Sequence, residues 1–375
     1  MTFPLLAALV FTLPTVALAL LVSVALWLTR KRQRRFWKVV GWVHLVLFPL
    51  HLFVTFPAVL GYVGSRLIPT RGDERLYDGP RISASGDLLV QTRQTLRAEQ
   101  EAGAPSVDAA VLADVKARTH RVEGADGVTL QVYRVPAKAA PPTSVAVLVH
   151  GMFRSSIELE PVAKMLRNRG CECWLVDQRN HGGSTRAPFT GGMRESRDLI
   201  AAVRYVREQP NVRELPLVLF GVSLGTCAVS LALPDIDDVG GVVLDAPIED
   251  LTAAAQRMLS FHREGDRRNF TFQYEPWRSL VITSLGLWSG FDVGDVRPIE
   301  VLATLPPDLP MLIVSEGLDD RAPPERVAEL YERLPMPEGV KELWKVDDVG
   351  HGQAFLEQPA AYDAALGRLL DRLRR

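Results

Sequence analysis

Twelve residues, Leu217-Val218-Leu219-Phe220-Gly221-Val222-Ser223-Leu224-Gly225-Thr226-Cys227-Ala228, restrict the folds open to this chain more than any other stretch. Four apolar residues of strand character lead into Gly-x-Ser-x-Gly, and small, helix-compatible residues follow. This is the sequence form of a nucleophile elbow, a strand-to-helix turn so sharp that the serine is strained and its hydroxyl exposed at the top of a sheet. Gly221 and Gly225 fit that turn because a Cβ at either position would collide with the neighbouring strand or helix.

The surroundings have the period that such a turn requires. Short apolar runs at 145–149, 173–176, 217–220, 242–244, 311–314 and 342–346 read as buried strands. Amphipathic segments at 160–169, 194–207, 226–233 and 324–333 read as helices between them. A hairpin around Asp126-Gly127 precedes the series. Strands alternating with helices imply an α/β fold, a mostly parallel sheet covered on both faces. Ligands of such sheets lie beyond the carboxyl ends of the strands, so the chemistry belongs in the loops that follow the apolar runs.

Four of those loops carry it. Ser223 is the nucleophile. His351, between Gly350 and Gly352, is its general base, with a carboxylate to fix the tautomer and orientation of the ring. Asp320 is assigned as that acid. Asp319 beside it is the alternative, since only one of two neighbours points inward, and Asp245 is better suited to bracing its own turn. The order Ser…Asp…His is the one expected of this architecture. The turn His150-Gly151 aims a backbone N–H at the space above the serine, and the oxyanion hole is assigned to the amides of Met152 and Leu224. Asp177 and His181 read as braces of a neighbouring loop, and Glu195 and Asp198 as carboxylates placed to suit a helix N-terminus.

The net charge of −1 gives no case for nucleic-acid binding, but it conceals an asymmetry. No acidic residue occurs before Asp73, and two apolar runs, about 2–28 and 36–64, flank the basic cluster Arg30–Arg35. Each exceeds the ~20 residues that cross a bilayer. A signal peptide would carry its basic residues ahead of the first run instead of behind it. Residues 1–66 therefore read as a transmembrane hairpin, with Trp37 and Trp42 as interfacial anchors and His44 and His51 as packing residues. The positive-inside rule puts the basic loop in the cytoplasm and the remainder on the extracytoplasmic side of an integral membrane protein. Residues 67–117 read as a stalk and 118–375 as the α/β domain. Three cysteines, Cys171, Cys173 and Cys227, suit neither a disulfide framework nor a metal site and read as buried apolar residues.

From about Arg118 onward the chain resembles the α/β-hydrolase superfamily. The matching residues are His150-Gly151, Asp177 with His181-Gly182, Gly221–Gly225, Gly317–Pro324 and Gly350-His351-Gly352. It is most similar to the serine hydrolases that include monoacylglycerol-lipase-like esterases and serine aminopeptidases. Val222 stands where a larger or polar side chain is usual. The resemblance implies an eight-stranded sheet and hydrolysis through an acyl-serine intermediate, with neither cofactor nor metal.

In this architecture the insertion at about 248–305 forms a helical cap over the site. It is rich in aromatic and aliphatic residues, among them Phe261, Phe270, Trp277, Leu287 and Trp288. An apolar cap on a membrane-held domain favours acyl-chain esters or thioesters, small-molecule or lipid, as substrates. A peptidase of the same fold is the alternative, with Glu249 and Asp250 as candidates for holding a substrate terminus. A catalytically silent membrane-tethered binding module is the alternative from another class.

Overall fold

The computed structural model describes residues 33–67, 118–152, 154–259 and 275–373, together with Ala17, Leu21 and Val24. Outside them lie the first apolar run, nearly all of the stalk, and part of the cap insertion with Phe261, Phe270, Phe272 and Tyr274. The chain divides into two units. One comprises residues 67–254 and 291–375; the other comprises residues 1–66 with 255–290.

The larger unit is built on one eight-stranded sheet. Its strands are β1 (Thr119–Glu123), β2 (Thr129–Val135), β3 (Ser144–Val149), β4 (Cys171–Asp177), β5 (Leu217–Val222), β6 (Val239–Asp245), β7 (Met311–Glu316) and β8 (Lys341–Val346). Their order is β1-β2-β4-β3-β5-β6-β7-β8. β2 runs antiparallel to both β1 and β4, and every later pairing is parallel. The expected apolar runs all became strands. β6 is longer than expected because Gly240 and Gly241 interrupt the apolar pattern, yet the strand continues through them. A Cβ at Gly241 would lie 2.6 Å from the Leu373 side chain, so the glycine lets the C-terminal segment close over the sheet.

The central strands are buried on both sides, and their two-residue period splits the core into two layers. Val145, Val147, Val149, Leu217, Leu219, Met311 and Ile313 face one layer; Ala146, Leu148, Val218, Phe220, Leu312 and Val314 face the other. Among the described residues the α-helices are α1 (Gln33–Leu50), α2 (Phe56–Leu67), α3 (Glu160–Asn168), α4 (Met193–Arg207), α5 (Gly225–Ala232), α6 (Leu251–Leu259), α7 (Trp277–Ser289), α8 (Pro298–Leu302), α9 (Pro324–Arg333), α10 (Ala354–Glu357) and α11 (Pro359–Leu370). α4, α5, α8 and α9 cover the first layer, through Leu199, Val203, Cys227, Leu302 and Leu330 among others. α3, α10 and α11 cover the second with Val162, Leu166, Phe355, Tyr362 and Leu366. All three cysteines are buried free thiols.

In the smaller unit, α1 and α2 form one continuous helical run joined by a π-helical turn, His51–Thr55. The stretch Gly41–Tyr62 within it has a mean hydropathy of 2.0 and is long and apolar enough to cross a membrane, by length and composition. The reading of 36–64 as one apolar helix differs at the centre, where the π-turn sits just ahead of Pro57. The ring of His51 meets Thr55 Oγ1 at 3.2 Å, one turn along.

Candidate active site

Ser223 lies between the last residue of β5, Val222, and the first of α5, Gly225. Its φ is +52°, the left-handed region that a residue with a Cβ occupies at a cost of about 1–3 kcal/mol. Hydrogen bonds on both sides hold it there. Its N–H donates to Asp245 O (2.8 Å), and its carbonyl accepts from Thr226 N (2.9 Å) and Thr226 Oγ1 (2.5 Å). The two glycines are explained by what surrounds them. A Cβ on Gly221 would press on the Gly225 carbonyl at 2.8 Å; one on Gly225 would lie 2.5 Å from Val149 O and 2.6 Å from His150 O. The turn therefore fits between β3 and α5 only without those side chains.

Ser223 Oγ is 2.6 Å from His351 Nε2, and His351 Nδ1 is 2.7 Å from Asp319 Oδ2. The carboxylate that meets the histidine is thus Asp319, not Asp320 as expected. Both follow β7 in the same turn, but Asp319 is 3% exposed and Asp320 faces solvent. Asp319 Oδ1 accepts from the amides of Arg321 (2.8 Å) and Ala322 (2.9 Å), so the carboxylate caps its own turn with one oxygen and holds the histidine with the other. Identical residue types at adjacent positions cannot be separated by residue type alone. The available signal was the Asx-type turn that only the first aspartate can make with the two amides ahead of Pro323. With Nδ1–H donated to Asp319 Oδ2, Nε2 of a neutral ring is the acceptor that faces Ser223 Oγ.

Of the two residues assigned to the oxyanion hole, Met152 follows the His150-Gly151 turn and Leu224 follows Ser223. Leu224 precedes α5 immediately, among the first-turn amides that have no partner within a helix. The His150-Gly151 turn is pressed against the serine, since a Cβ on Gly151 would touch Ser223 Cβ at 3.3 Å. His150 itself is fully buried and serves the scaffold. Its Nε2 accepts from Gln178 N (3.1 Å), its Nδ1 therefore donates to Gly151 O (2.6 Å), and its carbonyl accepts from Gln178 Nε2 (2.6 Å). Burial pushes its pKa down to about 4, so the ring is neutral. The Gly151 amide is engaged by the half-buried Glu158 (3.1 Å), which fixes the loop that carries Met152.

Asp177 and His181 brace the loop after β4, as expected. The Asp177 carboxylate accepts from Ser156 N (2.8 Å) and Gly183 N (2.9 Å), and the His181 ring packs edge-on against His150 and Phe189. Glu195 and Asp198 do more than suit a helix dipole. Glu195 accepts from the amides of Thr190 and Gly192, and Asp198 takes both ends of the buried Arg179 guanidinium at 2.6 and 2.8 Å. Asp250, considered for a peptidase pocket, caps Ala253 N and pairs with Arg297 at 3.3 Å.

Behind the histidine lies a buried acidic cluster that the sequence reading missed. Glu316, the last residue of β7, accepts from the amides of Gly352, Gln353 (2.7 Å) and Ala354 (2.7 Å) and so holds the loop that presents His351. Asp245 accepts from Tyr362 Oη at 2.6 Å. Burial holds both carboxyls above the usual carboxylate range, and the Asp245 charge adds to the effect at Glu316. Glu316, Asp319 and His351 are grouped tightly enough to suggest a metal site. Their donor atoms, however, are already engaged by backbone amides, by one another and by Ser223.

This strand-end geometry matches the alpha/beta hydrolase family, whose model covers residues 146–365. The chain belongs to that family. Among curated relatives of this hydrolase are the uncharacterized protein YfhR of Escherichia coli, 26% identical over 139 residues (36% of this chain, 48% of the relative), and the polyketide transferase grgF of a Penicillium species. The latter is 30% identical over 135 residues, 35% of this chain and 45% of the relative. The hydrolase thus spans about half the length of the curated relatives it matches. Of the solved structures, the Pyrococcus furiosus esterase Pf2001 superposes with a TM-score of 0.55 at 19% identity, covering 68% of this chain and 90% of that one. Est1E from Butyrivibrio proteoclasticus superposes with a TM-score of 0.52 at 17% identity, covering 68% and 98%. At such identities the likeness is one of fold.

Proposed function

We propose that this alpha/beta hydrolase is a membrane-anchored serine hydrolase that cleaves acyl-chain esters or thioesters through an acyl-serine intermediate. The observation that carries the reading is the unbroken line from Ser223 Oγ through His351 to Asp319, with the serine held at positive φ. Ser223 Oγ attacks the acyl carbonyl as its proton passes to His351 Nε2. Asp319 stabilises the imidazolium through Nδ1–H. Charge on the carbonyl oxygen is met by the amides of Met152 and Leu224. His351 then protonates the leaving alcohol or thiol. A water deprotonated by the same nitrogen attacks the acyl-serine, and the carbonyl reforms as Ser223 leaves with its proton restored. The proton transfers run between Ser223, His351 and Asp319, which are in hydrogen-bond contact.

Anchoring is supported by the length and hydropathy of Gly41–Tyr62. A first span at 2–28, with the basic cluster between the two, would complete a hairpin that leaves the hydrolase unit on the extracytoplasmic side. The reading is tested by hydrolysis of p-nitrophenyl esters of increasing acyl length, set against aminoacyl arylamides. Turnover that rises with acyl length and vanishes in Ser223→Ala is expected. Cleavage of the arylamides alone would assign a peptidase.

A further inference from the structure

The segment between β6 and β7 leaves the catalytic unit after Ala254 and rejoins it at Phe291. The helix in its middle, α7, packs instead on α2 and the π-turn ahead of it. The contact is built from backbone groups that the anchor helix exposes. In the π-turn Phe56 N–H is bonded to His51 O, five residues back. Continuing that register, Leu52 O would need a donor at position 57, where proline has none. Phe56, its α-helical donor, is already engaged. Leu52 O is therefore left over by the anchor helix, and Trp277 Nε1 donates to it at 3.0 Å while the indole stacks on Phe53 (5.4 Å, 5° between planes).

Six residues further along, Ala58 O accepts from Trp288 Nε1 (3.1 Å) and Ser284 Oγ (3.4 Å), and the Trp288 ring meets Tyr62 edge-on at 5.0 Å. Gly61 and Gly64 make the close approach possible. A Cβ on Gly61 would come within 2.6 Å of Ser284 Cβ, and one on Gly64 within 3.0 Å of Leu285 Cδ1. Small residues at the crossing and side-chain hydrogen bonds between helices are how helices associate in a bilayer, and a carbonyl without a donor there has no water to turn to.

The outer surfaces agree. On the anchor, Trp42, Leu45, Val46 and Val54 are exposed, and on α7 so are Leu287 (77%) and Trp288 (52%). α7 carries one charged residue, Arg278, which pairs with Glu275 at 2.9 Å just ahead of the helix. Its 13 residues extend about 20 Å, short of the ~30 Å hydrocarbon core.

We propose that α7 is a non-spanning membrane helix, inserted beside the anchor with Leu287 and Trp288 against lipid acyl chains. The middle of the cap segment then belongs to the membrane-bound body, and the chain on either side of it returns to the catalytic unit. This rests on the membrane reading of Gly41–Tyr62.

The test uses the full chain in phosphatidylcholine vesicles that contain a phosphatidylcholine with a nitroxide on its acyl chain. A bimane is placed singly at Leu45→Cys, Leu287→Cys or the solvent-facing Glu325→Cys, with the unsubstituted chain as labelling blank. The proposal expects quenching at positions 45 and 287 but not at 325. Quenching at 45 without quenching at 287 overturns the insertion of α7 while leaving the anchor standing. No quenching at 45 overturns both. Docking is tested in the same assay by Gly61→Leu, which obstructs the crossing, and by the milder Trp277→Phe, which removes the donor to Leu52 O. Either should lower quenching at 287 by about half and leave position 45 unchanged. Unaltered quenching at 287 in both variants overturns the docking.

Discussion

Replacing Asp319 by asparagine separates its chemical role from its structural one, because the environment dictates how the amide must sit. Two backbone donors, Arg321 N and Ala322 N, point at Oδ1. The asparagine carbonyl must take that place, since turning the amide over would set NH2 against two N–H groups. The NH2 then faces His351 Nδ1, where Asp319 Oδ2 stood at 2.7 Å. Facing a donor, Nδ1 becomes the acceptor, and the ring proton moves to Nε2. That tautomer cannot take a proton from Ser223 Oγ, only 2.6 Å away. The expected loss in kcat/KM is about 10³–10⁴-fold, or about 4–5.5 kcal/mol of transition-state stabilisation, with thermal stability nearly unchanged. Asp320→Asn, at an exposed position, should stay within about twofold. Both variants are assayed by p-nitrophenyl ester hydrolysis and by melting temperature. Activity in Asp319→Asn within tenfold of the parent, or an equal loss in Asp320→Asn, would refute the assignment of the acid.

Gly225→Ala should abolish ester hydrolysis and lower stability by about 1–3 kcal/mol, read as a drop in melting temperature, because its Cβ meets two carbonyl oxygens at 2.5 and 2.6 Å. The share of stability that depends on two buried histidines should fall on acidification. His150 and His181 are held by burial at about 4 and about 3, below the ordinary histidine value, so below pH 6.5 the unfolded chain binds protons that the folded chain refuses. Their contribution is complete above pH 6.5 and is lost as the pH falls toward 4 and 3. Urea midpoints measured from pH 7 to 4 should fall more steeply for the parent than for His150→Gln. Parallel curves would contradict a neutral buried His150. For topology, an alkaline-phosphatase fusion after Leu67 should be active, and an inactive fusion would put the hydrolase unit in the cytoplasm.

The features legible in the sequence are those set by backbone sterics and side-chain period. Gly221, Ser223 and Gly225 announce a turn that only one arrangement of strand and helix accommodates. The unbroken apolar runs 145–149, 217–220 and 311–314 are the pattern of strands buried on both faces, and all became central strands. His351 between glycines was legible because few other roles suit a histidine in a strand-end loop. The choice between Asp319 and Asp320 was not, since it depends on which side chain the turn folds inward. Glu316 passed unnoticed because an acid closing an apolar strand looks like a solvated strand end; its three amide partners come from a loop 36 to 38 residues later. Arg179 with Asp198 is concealed for the same reason, two ordinary charges that meet only after folding. Pairing of Trp277 with Leu52 O depends on a π-turn that hydropathy cannot show.

The central claim is that Ser223 is a nucleophile activated by His351. It is tested most directly by the intact mass of the full-length protein after reaction with a fluorophosphonate, followed by peptide mapping. One phosphonyl adduct located on Ser223, absent from Ser223→Ala and strongly slowed in His351→Ala, is the predicted result. A parent protein that stays unmodified, or an adduct on any other residue, would contradict it.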